Sequence, residues 1–253
     1  MSSQFAVSIV VPLFNEAPSL RRLWDELSEV ARSENWQFEV IFVDDGSTDE
    51  SWQVVCQLAN AHAEVVGLQL SRNFGKSPAL TAGFRAASFP LVVMIDADLQ
   101  DVPSEIPKLL AALSAGFDLV SGWKQSRQDS IGKRIASKGF NGLVNLTSGL
   151  KLHDHNCGLK AMRREVARHL PLRGGMHRFM TVFARKLGYR VGEVPVRHRR
   201  REHGRSKYGW RRFPEGLVDL GRVTLAWRKL LEQAGSDSEL YEIGATVGKK
   251  PND

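Results

Sequence analysis

The residues of this chain best suited to chemistry are two carboxylates, Asp96 and Asp98, delivered by the run VVMIDADLQ over residues 92–100. A short apolar run of this kind predicts a buried strand, and in an open α/β sheet ligands bind just beyond the carboxyl ends of the strands. The Asp-x-Asp spacing suits a hard divalent cation, Mg2+ or Mn2+. Mg2+ takes one or two carboxylates and completes its shell with water and substrate phosphates. Taken alone, the pair reads equally well as a turn or a helix cap. Two further polar clusters bear on the choice: PLFNE at 12–16 and DDGSTD at 44–49 also follow apolar runs. Gly46 and Ser47 permit a tight turn, and Asp49 can cap the next helix. Three acidic clusters at one sheet edge, Glu16, Asp44/Asp45 and Asp96/Asp98, would repel one another unless a cation or hydrogen-bond donors lay between them.

The elements that must position these groups follow from periodicity. Apolar runs at 7–11, 40–43, 65–70, 91–95 and 119–120 alternate with amphipathic stretches at 20–31, 52–61, 80–87 and 106–113. That alternation predicts an α/β fold, a mostly parallel sheet built through right-handed crossovers with helices on both faces. One large domain over residues 1–233 is expected, followed by a flexible tail at 234–253, where GSDSEL and GKKPND lack a core-facing pattern.

With 253 residues and 42% apolar content, the chain can bury a full core. No stretch reaches the ~20 apolar residues of a membrane span, and the first residues do not read as a signal peptide. A cytoplasmic location is therefore expected. Cys56 and Cys157 have neither the number nor the spacing of a disulfide framework or zinc site and are expected to be reduced packing residues. The net charge of +7 is divided unevenly: residues 1–100 hold 6 Lys/Arg and 13 Asp/Glu, a net of −7, leaving +14 for residues 101–253. Such asymmetry suggests that the second part meets something anionic, whether nucleic acid, a membrane surface or a phosphorylated substrate.

The segments PLFNE, VDDGSTD, RNFGK and DADLQD, followed by CGLKAMRREV, GEVPVRH and HGRSKY, together resemble the family 2 glycosyltransferases of the dolichyl- or polyprenyl-phosphate sugar synthase branch. The resemblance spans residues 7–210 in the family's order. It implies a GT-A fold and a nucleotide-sugar donor of the GDP-mannose or UDP-glucose type. Pro12, Phe14, Glu16, Val43 and Asp45 would form the nucleoside floor, with Asp45 as nucleobase or ribose contact. Asp96, Ala97 and Asp98 would line the donor diphosphate, and Asp96, Asp98 and Gln100 would hold the metal. Lys124 stands where the family often has Arg, replacing a bidentate fork by a point charge. Phe14 stands where many relatives have Tyr.

Residues 130–151 contain no acidic residue and interleave Ile131, Ile135, Phe140, Leu143, Val144 and Leu150 with Lys133, Arg134 and Lys138. The pattern fits a basic amphipathic helix in a membrane interface or a core helix with a solvated basic face. The resemblance places Lys133, Arg134 and Ser137 at the acceptor phosphate. The densest charge run, RHRRREHGRSKYGWRR at 197–212, has 8 Lys/Arg in 16 residues. By itself it suggests nucleic-acid binding or a solvated loop. The resemblance makes it a closing segment whose Arg201 and Lys207 meet the donor diphosphate and acceptor phosphate. After it, Phe213, Leu217, Leu220, Val223 or Thr224, Trp227 and Leu230 form a stripe on a second amphipathic helix at 211–233, suited to an interface or to its own domain. His153, His155, His177 and His203 lack the spacing of a zinc pair and read as loop or substrate-shell groups.

The resulting expectation is an inverting hexosyltransferase that moves sugar from a nucleotide donor to a polyprenyl or dolichyl phosphate. Asp96, Asp98, Arg201 and Lys207 would carry the reaction, and the protein would lie on the cytoplasmic membrane face directly, through an anchoring subunit or as a homo-oligomer. A family 2 transferase acting on a hydroxyl acceptor is the nearer rival. A nucleic-acid-binding module is the remoter one, and it leaves the acidic edge motifs unexplained.

Overall fold

The computed structural model describes residues 5–124, 131–199, 213–225, 227 and 240–248; for 131–138, 140 and 213–217 only the backbone is described. Expected elements that fall on 200–212, Arg201 and Lys207 among them, lie outside the described residues.

Each apolar run of the first part becomes a strand and each amphipathic stretch a helix. The order is β1 (Ala6–Leu13), α1 (Ala17–Ser33), β2 (Gln37–Asp44), α2 (Ser51–Ala61), β3 (Val65–Leu70), α3 (Lys76–Ala86) and β4 (Leu91–Met94). There follow α4 (Ile106–Ser114), β5 (Leu119–Lys124), α5 (Ile131–Ser148), β6 (Lys160–Arg163), α6 (Arg164–His169), α7 (Met180–Lys186), β7 (Val191–Val196), α8 (Phe213–Leu225) and β8 (Ile243–Val247). They form one sheet in the order β7-β5-β6-β4-β1-β2-β3-β8. The pairs β1–β2, β1–β4, β2–β3 and β5–β7 are parallel, whereas β6 runs against both β4 and β5, and β8 against β3.

The central strands are uninterrupted apolar runs because both of their faces are covered. Side chains alternate between the faces, so Ile9, Val11, Phe42 and Val93 join one buried cluster with α1, α2 and α4. Val10, Ile41, Val43 and Met94 join the other, with α3, α6, α7, Val144 of α5, and Leu220 and Val223 of α8. From β1 the chain moves outward through β2 and β3 and then returns to β4 on the other side of β1. This reversal is a topological switch point, where the carboxyl ends of neighbouring strands leave a crevice.

The expectation of a patternless tail from Ala234 is corrected at its described end, since residues 243–247 add a strand to the sheet edge. The sequence signal is weak because an edge strand buries little, and Ile243 remains 45% exposed. What seats it is a gap on its neighbour. Val247 pairs with Gly67, where a Cβ would stand 2.7 Å from Val247 Cγ1 and 2.6 Å from Val55 Cγ1. Ser71 adds a backbone bond to Glu242 O at 2.9 Å.

Gly67→Val should therefore push β8 off the sheet and destabilise the protein by about 1–3 kcal/mol through overpacking. Hydrogen exchange reads this directly: amides of 243–247 are expected to lose protection, and unchanged protection would show that the gap does not seat the strand.

Candidate active site

The three acidic clusters converge on the switch point, where they are held by hydrogen bonds between loops. At the end of β1, Asn15 adopts φ 57°. Its backbone N–H donates to Ser47 Oγ at 2.9 Å, and its Oδ1 accepts from Thr48 N at 2.8 Å. Asp49 accepts from Ser51 N at 2.9 Å and Ala17 N at 3.3 Å, the first residues of α2 and α1. Burial acts to raise its pKa, but the hydrogen bonds from Ser51 and Ala17 hold it below the ordinary value.

Pro12 and Val43 are buried partners across the β1–β2 pair, and Phe14 and Glu16 are half-buried beside them. Asp44 is fully buried and accepts from Ser47 N at 2.9 Å. Asp45 is 5% exposed and accepts from Phe74 N at 2.7 Å and Gly75 N at 2.9 Å. This carboxylate thus fixes the RNFGK loop at the start of α3. That loop places Lys76, whose ammonium donates to Asp96 Oδ1 at 2.5 Å.

Asp96 and Asp98 follow β4 directly. Asp98, 9% exposed, accepts from Gln100 N at 3.1 Å across Leu99, which sits at φ 61°. A leucine in the left-handed region is unusual, and such strain concentrates at functional sites. Ala97 is buried beneath the pair. Gln100 O accepts from Arg199 N at 2.8 Å, and its side-chain amide stands 3.5 Å from Arg199 O. Arg199 in turn places a guanidinium nitrogen 2.8 Å from both carboxylate oxygens of Glu26. The start of the basic run is thereby pinned beside the Asp-x-Asp turn.

The next residue, Asp101, is 2% exposed, and its Oδ1 has no hydrogen-bond partner among the described residues. Lys124 Nζ and His198 Nε2 lie 3.8 and 3.9 Å from it. Burial, with Asp96 and Asp98 adding to it, pushes the Asp101 pKa up to about 6 against the pull of Lys124. For Asp96, burial is outweighed by Lys76 and Lys124 and the pKa falls. Burial would discharge Lys124, but Asp101 raises its pKa and keeps it protonated. Gly158, two residues before β6, closes the cluster: a Cβ there would stand 2.4 Å from Asp101 Oδ2 and 2.7 Å from Asp96 Oδ2, so no larger residue fits without a shift.

This donor set fits an open divalent site. Among the described residues no group of three or more His, Cys, Asp or Glu is placed to hold a metal ion by itself, so substrate and water would have to complete any shell. Two carboxylates with an amide alongside, and a third carboxylate behind them carrying a buried, unpartnered oxygen, match a cation that keeps positions for water and phosphate.

Lys124 therefore stands in the site, while Lys133, Arg134 and Ser137 lie on the backbone of α5. Sequence reasoning missed Lys76, Asp101 and Lys160, and read His177 only as a loop or substrate-shell group. Lys76 and Asp101 lie inside the RNFGK and DADLQD motifs, where their types were the available signal. Lys160 and His177 carried none, because their neighbours come from other elements. Cys56 and Cys157 are free, and burial pushes the Cys157 thiol up to about 12, which makes it inert.

The loop at 150–157 holds α5 in place. Asn141 and Asn145, one turn apart, donate to His153 O at 2.7 Å and Leu152 O at 2.8 Å. His155, fully buried, lies 2.8 Å from Thr181 Oγ1 and 2.9 Å from Asn145 Oδ1, so Nε2 carries the proton. The stripe on α8 faces its own domain: Leu220 and Val223 are buried, and Trp227 packs against the same cluster. Among the described side chains of the two touching helices, the exposed apolar ones are instead Leu143 (39%) and Leu146 (83%) of α5, and Val218 (56%) and Leu225 (87%) of α8.

The description of Glycosyl transferase family 2 matches residues 8–170, and the chain belongs to that family. It is 38% identical over 215 residues to an undecaprenyl-phosphate 4-deoxy-4-formamido-L-arabinose transferase of Edwardsiella ictaluri, a match covering 85% of this chain and 66% of that protein. It is 36% identical over 232 residues to the Salmonella choleraesuis protein of the same name, covering 91% and 71%. The chain thus spans about two thirds of the length of these relatives. Among solved structures it resembles a mannosyltransferase of Pyrobaculum calidifontis in complex with GDP-Man and Mn2+, at TM-score 0.66 and 21% identity, covering 93% and 70% of the two chains. It also resembles mannosyl-3-phosphoglycerate synthase of Rubrobacter xylanophilus, at TM-score 0.67 and 20% identity, covering 95% and 78%. These likenesses show the fold, an α/β sheet of the GT-A kind.

The buried imidazole sets a pH dependence. Burial, then Lys160, lower the His155 pKa to about 4 against the opposing Asp154, while an unfolded histidine titrates near 6.5. The unfolded chain binds the extra proton between those values, so stability falls as pH drops from about 6.5 to 4, by up to about 3 kcal/mol. Denaturant unfolding of the wild type and His155→Gln across this range is expected to show a shallower pH slope in the variant; identical slopes would remove His155 as the cause.

Proposed function

We propose that this protein is an inverting glycosyltransferase that moves a hexose from a nucleotide sugar to a polyprenyl phosphate at a membrane surface. The observation that carries the reading is the Asp96/Asp98 turn at the switch point, backed by Lys76 and Lys124 and joined to the basic segment through Gln100 and Arg199. The 36–38% identity to undecaprenyl-phosphate sugar transferases supports the acceptor class.

The nucleoside lies on the β1–β2 end, over Pro12, Phe14, Glu16, Val43 and Asp45. Asp96 and Asp98, with Gln100, would hold Mg2+ or Mn2+, which would neutralise charge on the diphosphate. Lys76 and Lys124 keep the carboxylate cluster compact and lend it positive charge. Arg201 follows Arg199 by two residues in the sequence. It and Lys207 stabilise the charge that develops on the leaving group. In the transfer itself an acceptor phosphate oxygen bonds to the anomeric carbon from the face opposite the diphosphate. The anomeric carbon–oxygen bond breaks, and the nucleoside diphosphate leaves with the electron pair. A phosphomonoester has a second pKa of about 6 and is already a strong nucleophile at neutral pH, so no side chain has to remove a proton. Lys133, Arg134 and Ser137 on α5 bind that phosphate.

No described helix is long and apolar enough to cross a membrane. Contact with the cytoplasmic face instead runs through the exposed apolar residues of α5 and α8 together with the basic face of α5. A membrane-anchoring subunit or a second copy of the chain is the alternative means of attachment.

The direct test is a panel of donors and polyprenyl-phosphate acceptors with Mg2+ or Mn2+, scoring labelled sugar in the organic phase. Asp98→Ala is expected to lower transfer by at least about 100-fold with folding intact; full activity of wild-type protein in excess chelator would overturn the metal assignment.

Flotation with vesicles containing phosphatidylglycerol tests the surface. Binding should weaken with salt. Leu146→Asp and Leu225→Asp should each reduce it about tenfold, given the ~1.5–3 kcal/mol of a buried leucine. Wild-type protein that stays with the soluble fraction at low salt would leave attachment to a partner.

A further inference from the structure

The segment that follows β7 lies beside the Asp-x-Asp turn, yet packing alone does not hold it there. Residues 195–199 border a groove of about 500 Å3 whose other wall is Val102, Ser104 and Lys108. Two acidic side chains from other elements do the holding. Glu26 of α1 takes Arg199, one guanidinium nitrogen standing 2.8 Å from both carboxylate oxygens. Glu105, 1% exposed and immediately before α4, accepts from Arg197 Nε at 2.5 Å, and the same guanidinium donates to Ser104 Oγ at 2.9 Å. Lys108 donates to the other Glu105 oxygen. Burial would raise the Glu105 pKa, but the hydrogen bonds from Lys108 and Arg197 hold it below its ordinary value, so this anchor is an anion.

The turn beside these anchors is one that needs support. Leu99 sits at φ 61°, a strained conformation that persists only where the surroundings impose it. Within the turn, Asp98 accepts from Gln100 N at 3.1 Å. From outside it, Arg199 N donates to Gln100 O at 2.8 Å, and Asp101 and His198 form an antiparallel bridge. Both outside pairings are supplied by the segment that Glu26 and Glu105 pin. A continuous set of contacts therefore runs from each carboxylate, through an arginine side chain, to the backbone of residues 197–199 and on to the turn.

We infer that Glu26 and Glu105 are positioning residues of the donor site: by pinning Arg199 and Arg197 they hold residues 197–199 against Gln100 and Asp101, and so keep the Asp-x-Asp turn in the form that takes a divalent cation with its nucleoside diphosphate. The inference rests on the metal and donor reading under Proposed function. Outer groups that orient the residues around a metal typically change its affinity 10–100-fold when removed. Arg22 supplies a comparison within the same cluster. It pairs with Glu26 at 3.0 Å from one turn earlier in α1, so its removal leaves the Arg199 anchor in place.

Calorimetry with Mn2+ and either UDP or GDP, on wild type, Glu26→Ala, Arg199→Ala, the double variant, Arg197→Ala and Arg22→Ala, tests this. The expected result is about tenfold weaker binding of the Mn2+-nucleotide in Glu26→Ala and in Arg199→Ala, with no further loss in the double variant, because the two act through one contact. Arg197→Ala should lose affinity in the same direction, and Arg22→Ala should keep the wild-type value. The Glu105 anchor is probed through Arg197, whose side chain is 71% exposed, since this leaves the buried carboxylate paired with Lys108. Hydrogen exchange separates position from charge. Amides of 197–199 and of Gln100 and Asp101 should exchange faster in Glu26→Ala, while those of β1 to β4 keep their protection and report an intact fold. Wild-type affinity in Glu26→Ala, losses that multiply in the double variant, or weaker binding with unchanged exchange would each overturn the inference and leave the transferase reading standing. Failure of the wild type to bind either nucleotide with Mn2+ would remove the donor reading and this inference with it.

Discussion

The structure depends on the packing of three carboxylates, Asp96, Asp98 and Asp101, into one turn after β4. Asp101 is 2% and Asp98 9% exposed, so solvent screens their repulsion poorly. Lys76 meets Asp96 and Lys124 stands near Asp101, each brought from a different element. The absence of a side chain at Gly158 lets the two outer carboxylates approach β6. Removing Lys124 would leave the buried Asp101 without its nearest positive charge, which is far costlier than losing a surface ion pair.

This electrostatic arrangement explains several contacts that are otherwise unrelated. Lys76 can reach Asp96 because Asp45 takes the two N–H groups of Phe74 and Gly75 and so fixes where α3 begins. The same helix start carries Ser77, which orients His177. On the other side, Gln100 and Asp101 pair with Arg199 and His198, so the strand-like segment after β7 is registered on the Asp-x-Asp turn itself. The ends of β1 and β2, the Asp-x-Asp turn and the start of the basic segment are thus coupled through hydrogen bonds. These tolerate little displacement, and positioning of that kind is what group transfer demands.

The sequence was most informative where one physical rule governed one segment. Continuous apolar runs gave β1 to β4 because those strands are buried on both faces, and the Asp-x-Asp spacing marked the carboxylate turn after β4 because its signal is local. It was least informative where partners are distant in the chain. His177 meets Ser77 across 100 residues, and no spacing could show that. β8 was hidden because an exposed edge strand needs no apolar alternation, and the residue that seats it, Gly67, reads as a weak point of β3. The stripe on α8 was legible as a stripe, but its direction was not. Periodicity says that one face is apolar, and only the packing of Leu220 and Val223 says that this face is turned inward.

That inward turn changes how a membrane contact must work. Val144, Leu220 and Val223 fasten α5 and α8 to the cluster that also holds α3 and α7, so neither helix can leave the domain to insert on its own. Among the described residues, Leu143 and Leu146 with Val218 and Leu225 remain outside, on two touching helices of which α5 carries only basic charges. Such a surface suits shallow, reversible attachment strengthened by anionic headgroups. On the proposed function, a lipid-borne phosphate would then approach from the α5 side while a soluble nucleotide enters over β1 and β2. The two meet near β4 and β6, the stretch of edge where Asp96, Lys124, Lys160 and His177 gather. The acidic first part and the basic second part of the chain would each bring a different reactant to that boundary, which gives the uneven charge distribution a mechanical reason.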